Sequence, residues 1–305
     1  MASQQLPSPL GENFLTTPAP NIVVNRIDFS KTTLPEYTDR YALILDNILS
    51  PEECSTLIRA AEATSPTGWE RALVNVGGGN QMLITDARNC GRIIWDSREM
   101  VSRIWKRIDH LPDVQEIARL ENAPTIFGHG PSKRNEVWKF TRPNERMRFL
   151  KYVGGEYFRA HCDGVYETPD RKERSNFTMH LYLNDAGTVA EDELKDMSEK
   201  QKSENVQSVL VGGATTFFAH NMIRRLDVQP KTGRILIFQH RDLIHSGEDV
   251  VQGVKYTMRT DLMYALSDEI AQDPPPPKTS KPKLVKHADG LGEAEKHGYL
   301  SSRYG

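Results

Sequence analysis

A β-sandwich or jelly roll with a supporting layer of helices is the fold predicted by this 305-residue chain. Three features of the sequence point to it. After Met147, short β-branched and aromatic runs recur between turn residues, as in sheets folded over one another. Before Met147 lie two amphipathic segments of helical period. The remaining stretches, at both ends and in one charged insert, carry too few apolar residues for a core of their own, which leaves one mainly β domain with helices beside it (α+β).

Taken in order, residues 1–37 are rich in Pro, Ser, Thr and Asn and read as a poorly ordered or surface-hugging lead-in. Residues 41–45 (YALIL) form a short apolar strand. Ser50-Pro51-Glu52-Glu53 starts a helix, with Ser at the cap, Pro at the first helical position and Glu at the third, and apolar spacing carries it to about Thr64. Gly77-Gly78-Gly79 lacks the Gly-Lys-Ser/Thr of a phosphate loop and reads as an ordinary loop. Residues 97–111 form a second helix with Met100, Ile104 and Ile108 on one stripe. Strands follow at 177–183 (FTMHLYL), 213–218, 234–238 (RILIF) and 255–264. Ahead of them, residues 149–164 (FLKYVGGEYFRAHCDG) read as a strand, a Gly-Gly turn and a second strand.

The charged insert 186–208 reads as a surface loop near one mouth of the sheets. After Ala265 a stiff, basic, Pro-rich stretch begins. The expected organisation is therefore a lead-in over 1–37, one domain over 38–266 and a Pro/Lys-rich tail over 267–305.

Hydrophobic residues at 38%, charged residues at 26% and a formal charge of −2 describe a soluble globular chain with no general attraction to nucleic acid or membrane. No apolar run approaches the ~20 residues of a membrane span, and the amino terminus lacks a basic segment followed by an apolar one. The expected compartment is cytoplasmic or nuclear. Cys54, Cys90 and Cys162 have neither zinc spacing nor disulfide density and are expected as free thiols.

His-x-Asp occurs three times, at His161/Asp163, His240/Asp242 and His287/Asp289. Side chains alternate along a strand, so each such pair can face one ion, and an imidazole with a carboxylate is two thirds of a 2-His-1-carboxylate iron site. His287 and Asp289 lie in the tail, where nothing fixes ligand geometry. His240-Arg-Asp242-Leu243 resembles a protein-kinase catalytic loop, but the Asn, the nucleotide loop and the Asp-Phe-Gly that should accompany it are missing. His240 reads as a structural strand-end residue close to the site. His161 and Asp163 have better company: His245 follows the RILIF strand in a compact turn, and Lys255 lies ten residues further on.

With these residues the chain resembles the Fe(II)/2-oxoglutarate-dependent dioxygenases, in particular the prolyl 4-hydroxylase-like family, over most of residues 42–264. The match runs through LDNILSPEECSTLI as opening strand and helix, RFLKY, FTMHLYLN, the GGATTFF hairpin and the PKTGRILIF approach to the distal histidine. The resemblance implies a double-stranded β-helix (jelly roll) in which His161, Asp163 and His245 are the catalytic metal ligands for Fe(II). It implies that Lys255 binds the far carboxylate of 2-oxoglutarate together with the hydroxyls of Tyr152 and Thr178. Arg259 shares a strand face with Lys255 and is the alternative cation, otherwise pairing with an acidic neighbour, the 1-carboxylate or the substrate. Arg148 and Arg159 read as strand surface residues, with substrate contact the alternative. Three departures from the family pattern stand out: Ala214 replaces a Glu of the hairpin, the insert 186–208 is atypical, and Phe158 stands where many relatives have Tyr.

The implied reaction uses O2, with ascorbate as reductant, to hydroxylate a C–H bond of a prolyl or other side chain in a peptide or protein, releasing succinate and CO2. A small-metabolite oxygenase using the same site for hydroxylation, desaturation or cyclisation is the alternative. A non-catalytic metal-binding module that offers the Pro-rich tail to partners is disfavoured by the complete ligand and anchor set. The sequence leaves the oligomeric state open.

Overall fold

Ser50 begins the first helix, α1 (Pro51–Thr64), through a reciprocal cap: its hydroxyl accepts from the Glu53 N–H at 3.2 Å, and the Glu53 carboxylate accepts from the Ser50 N–H at 2.8 Å. Ser97 caps α2 (Arg98–Lys106) in the same sense by accepting from the Met100 N–H. The buried stripes of these helices, Cys54, Leu57 and Ala61 on one and Met100, Val101 and Ile104 on the other, enter one apolar cluster with Phe149, Phe177, Ile237, Met258 and Leu262 of the main sheet. The helices thus back the sheet, as the 3.6-residue spacing predicts. The second is shorter than expected because the chain turns after Lys106 and a new short helix starts at Pro112, where proline fits the first helical position.

The structure is a computed structural model that describes residues 10–77, 80–186 and 209–271. Its strands, in chain order, are β1 (Val23–Arg26), β2 (Ala42–Asp46), β3 (Gly91–Asp96), β4 (Glu136–Pro143), β5 (Arg146–Val153), β6 (Tyr157–His161), β7 (Glu173–Tyr182), β8 (Thr215–Phe218), β9 (Arg225–Val228), β10 (Ile235–Gln239), β11 (His245–Gly247) and β12 (Val254–Ile270), with shorter pieces between them. The major sheet runs β1-β2-β10-β7-β12-β5-β3 and ends on Glu70–Arg71, with β4 also on β12; the minor sheet runs β9-β8-β11-β6 and ends on Arg88–Asn89. Every pairing within these two sheets is antiparallel. This is the mainly β jelly-roll architecture expected.

The stretch 149–164 departs from the hairpin reading. β5 pairs with β3 and β12 in the major sheet, whereas β6 pairs with β11 and Arg88–Asn89 in the minor one. The Gly-Gly turn therefore carries the chain between sheets. Strands β3 and β4 lie within residues 91–143, where no strand is expected, and β12 continues to Ile270 because β4 gives its far half a partner.

Residues 10–37 depart from the lead-in expected of their composition. β1 pairs with β2, and Phe29, Leu34 and Tyr37 are fully buried with Phe217, Leu236 and Phe238. The Tyr37 hydroxyl donates to the Phe218 carbonyl at 2.7 Å. Composition misses this because three isolated apolar side chains at no regular period cap the space between the sheets, and a polar average hides them. The insert from 187 to 208 and the tail from 272 lie outside the described residues, as do His287 and Asp289.

Phe29 meets Tyr37 and Phe217 edge to face, with centroids 5.7 and 5.8 Å away. Truncation to Phe29→Ala is expected to cost about 3–5 kcal/mol of unfolding free energy, measured by denaturant titration, whereas a dispensable lead-in would leave stability unchanged.

Candidate metal centre

His161 closes β6, His245 opens β11, and the two are direct cross-strand partners in the minor sheet. Alternation places Asp163 beside His161 just beyond the strand end. The His161 Nδ1 lies 2.8 Å from the Arg159 carbonyl and the His245 Nδ1 3.1 Å from the Leu243 carbonyl. A carbonyl only accepts, so both Nδ1 atoms carry a proton, and in the neutral rings both Nε2 atoms present lone pairs. These lone pairs converge on the carboxylate, with His161 Nε2 3.5 Å from Asp163 Oδ1 and His245 Nε2 3.7 Å from Oδ2.

The candidate ligand atoms all lie within 4.8 Å of one another. His161 Nε2 is buried without a hydrogen-bond partner. Three acceptors that converge with no proton between them repel unless a cation occupies the centre. Two imidazole nitrogens and one carboxylate fit a divalent first-row metal and leave coordination positions open.

The surroundings hold this set in its ligating form. Burial pushes the His245 imidazole down to about 3, so it is neutral at physiological pH. Burial alone would raise Asp163, but the Arg259 guanidinium outweighs it and holds the carboxyl well below its usual range. Arg259 Nη1 lies 2.8 Å from Asp163 Oδ1, and Nη2 lies 3.5 Å from Asp261 Oδ1. Asp261 is also held by Arg148 at 3.0 Å. The result is a buried chain of alternating charges, Arg148, Asp261, Arg259 and Asp163.

Thr178 sits elsewhere than the far-carboxylate role requires. Its hydroxyl donates to Asp163 Oδ2 at 2.5 Å, which orients the carboxylate. The pleat accounts for this: Thr178 lies opposite Asp261 on β12, at the same level as the acidic end of the network.

Lys255 and Tyr152 are direct partners across β12 and β5. Both are buried, and the Lys255 Nζ lies 5.2 Å from the Tyr152 ring centroid and 5.8 Å from that of Tyr182. Burial lowers Lys255 to about 8, and no described carboxylate lies within ion-pair distance of its Nζ. Burial raises the Tyr152 phenol above its ordinary range, so it stays a neutral donor. Gly213, at φ +71°, makes room for the lysine stem, since a Cβ there would lie 3.0 Å from Lys255 Cδ. A buried ammonium without a described counter-charge is a receptor for an anion.

Further residues line the same pocket. His180 follows Thr178 on the inward face of β7; its Nε2 is buried without a partner, and burial with nearby Lys255 and Arg259 holds the ring well below its ordinary range. Thr215 accepts from the Tyr182 hydroxyl at 2.7 Å. Phe158 stacks on His161, with centroids 3.7 Å apart. His180 and Asp261 were legible as the next inward positions after Thr178 and Arg259. Arg88, which also lines the pocket, sits in a segment without a periodic signal. His240 is buried with its Nε2 3.8 Å from Asp261, at the edge of the network, while Arg159 pairs with Asp249 at the surface.

The fold is thus a jelly roll with two histidines and a carboxylate at one end of its minor sheet, a candidate metal-binding group, and a buried lysine lining the same pocket from the major sheet. Residues 147–260 match the family model of the 2OG-Fe(II) oxygenase superfamily, a class of 2-oxoglutarate-dependent dioxygenases that implies Fe(II), 2-oxoglutarate and O2. No curated protein matches the chain. Among solved structures, a viral collagen prolyl hydroxylase from Paramecium Bursaria Chlorella virus-1, bound to 2-oxoglutarate, is 19% identical over 74% of this chain and 96% of its own, with a TM-score of 0.41. A Pseudomonas putida prolyl-4-hydroxylase is 11% identical over 79% and 100%, at 0.44. A prolyl hydroxylase from Trichoplax adhaerens, in complex with a hypoxia-inducible-factor peptide fragment, is 15% identical over 76% and 88%, also at 0.44. No helix among the described residues is long and apolar enough to cross a membrane.

Because Thr178 touches Asp163, Thr178→Val is expected to weaken Co(II) or Mn(II) binding about 10- to 100-fold, read by metal titration of the purified chain. Unchanged metal affinity would remove Thr178 from the ligand set's support.

Proposed function

We propose that this chain hydroxylates a C–H bond of a prolyl or other side chain in a peptide or protein, consuming 2-oxoglutarate and O2 and releasing succinate and CO2, with ascorbate as reductant. The convergence of His161 Nε2, Asp163 and His245 Nε2 without a proton among them carries the reading. In it, these three residues hold Fe(II) and Thr178 and Arg259 keep the carboxylate turned toward it. Lys255 binds the far carboxylate of 2-oxoglutarate, and the neutral Tyr152 hydroxyl adds a donor beside it. Iron held there supplies the oxidising chemistry; the protein's own work is to bind, orient and exclude water. One domain, about 38–266 with residues 10–37 packed onto it, carries the activity. The free Cys54, Cys90 and Cys162 suit a reducing cytoplasmic or nuclear compartment.

The test is succinate release from 2-oxoglutarate with Fe(II), ascorbate and a panel of proline peptides and free metabolites. His161→Ala and Asp163→Ala are expected to abolish it. The reading falls if no panel member turns over and no absorption band appears anaerobically on adding Fe(II) and 2-oxoglutarate.

Lys255 gives a pH signature. Its ordinary value of 10.5 is lowered to about 8, so it is cationic below that pH and neutral above it. The dissociation constant of 2-oxoglutarate should stay level below about pH 8 and rise above it, approaching tenfold per pH unit. Lys255→Arg should flatten the profile and Lys255→Ala should weaken binding throughout. If Arg259→Ala weakens 2-oxoglutarate binding and Lys255→Ala does not, the anchor is Arg259.

A further inference from the structure

Three cations line the pocket: Arg88, Lys255 and Arg259. Arg259 faces Asp163 and Asp261. Under the proposed function Lys255 takes the far carboxylate of the co-substrate. A divalent metal, the Asp163 and Asp261 carboxylates, dianionic 2-oxoglutarate, Lys255 and Arg259 then sum to zero charge. Arg88 remains in excess.

Arg88 is 8% exposed and has no carboxylate partner among the described residues. Its Nε lies 3.4 Å from the Cys90 Sγ, and its Cζ lies 4.5 Å from the Phe158 ring centroid. It is the direct cross-strand partner of Phe158, whose ring stacks on His161. Arg88 therefore belongs to the minor sheet beside the histidine strand, whereas Lys255 belongs to the major sheet opposite. It also lies outside the segment 147–260 that matches the superfamily. A guanidinium this buried is costly to leave without an anion, and its planar fork suits a carboxylate.

We propose that Arg88 is a specificity-determining residue that binds a carboxylate of the substrate, so that the C–H bond presented to the metal belongs to an acid. This inference rests on the proposed function and on the assignment of Lys255 to 2-oxoglutarate. The carboxylate belongs either to a free acid or to an acidic residue of a peptide, and both put the same group against Arg88.

The experiment compares matched acids and amides on the Fe(II)- and 2-oxoglutarate-loaded chain: N-acetylproline against its amide, and proline peptides carrying Glu against the same peptides carrying Gln. Succinate release and the change in the anaerobic absorption band are both read. In at least one pair the acid should act at roughly ten- to hundredfold lower concentration than its amide, the loss that follows from removing one charge-assisted contact. Which pair responds identifies the source. Arg88→Gln should remove the acid's advantage while the 2-oxoglutarate dissociation constant is unchanged, and Arg88→Lys should retain part of it.

The proposal is overturned if no acid outperforms its amide, if Arg88→Gln leaves the advantage intact, or if Arg88→Gln weakens 2-oxoglutarate binding, which would assign Arg88 to the co-substrate. Absence of the absorption band in the unsubstituted chain overturns the proposed function instead.

Discussion

The Asp163 carboxylate is the group on which the rest of the site depends. Its side chain is 2% exposed, and a carboxylate taken so far from water is tolerated only when its oxygens are matched by donors or cations. The matching groups come from distant parts of the chain, Thr178 on β7 and Arg259 on β12, while His245 on β11 and neighbouring His161 turn their Nε2 atoms to the same centre. Antiparallel pairing of β7 with β12, and of β6 with β11, sets all of them in register. A one-residue slip in either pairing would turn the inward set outward and strand the carboxylate. The fold's registry and the ligand geometry are thus one constraint.

Charge is divided between the sheets. The minor sheet offers two imidazoles around the carboxylate, with Arg88 on the strand beside them. The major sheet offers cations, each in a different situation: Arg259 is locked between two carboxylates, whereas Lys255 is buried against aromatic rings with no described counter-charge. This asymmetry separates the two residues that sequence alone leaves as rivals on one strand face. A guanidinium with two carboxylate partners is committed to holding a ligand in place; an uncompensated ammonium is available. In the alternation Arg148, Asp261, Arg259, Asp163, removing Arg259 takes from the buried Asp163 its guanidinium partner, whereas Asp261 keeps Arg148.

Much of this was legible where the signal is local. Helix starts at Ser50 and Ser97, the inward face of β12, and the pairing of His161 with Asp163 follow from caps and from period two. The distal histidine and the lysine follow from their spacing and from the family pattern. What escaped depends on contacts far apart in sequence. Thr178 reaches Asp163 instead of the far end of the pocket because its level is fixed by the β7–β12 register, which no local pattern encodes. Arg88 sits on a two-residue strand that exists only because β6 offers it an edge. Phe29, Leu34 and Tyr37 are buried by a space that the two sheets create between them, so their polar neighbours mislead any reading by composition.

The stretch around the Gly-Gly turn shows how one short segment serves both sheets. Tyr152 lies at the end of β5, beside Lys255; His161 lies at the end of β6, beside His245. The crossing between them must be tight, and Gly155 adopts φ +80° while donating its N–H to the Val250 carbonyl at 2.7 Å. Glu156 then locks the turn, its carboxylate accepting from the Val153 N–H at 3.0 Å and from Arg71 at 2.7 Å. A hairpin would have put Tyr152 and His161 in one sheet. By changing sheets instead, the chain places the Tyr152 hydroxyl and the His161 imidazole on different sheets that line one pocket, the separation that the proposed grip on both ends of a co-substrate uses.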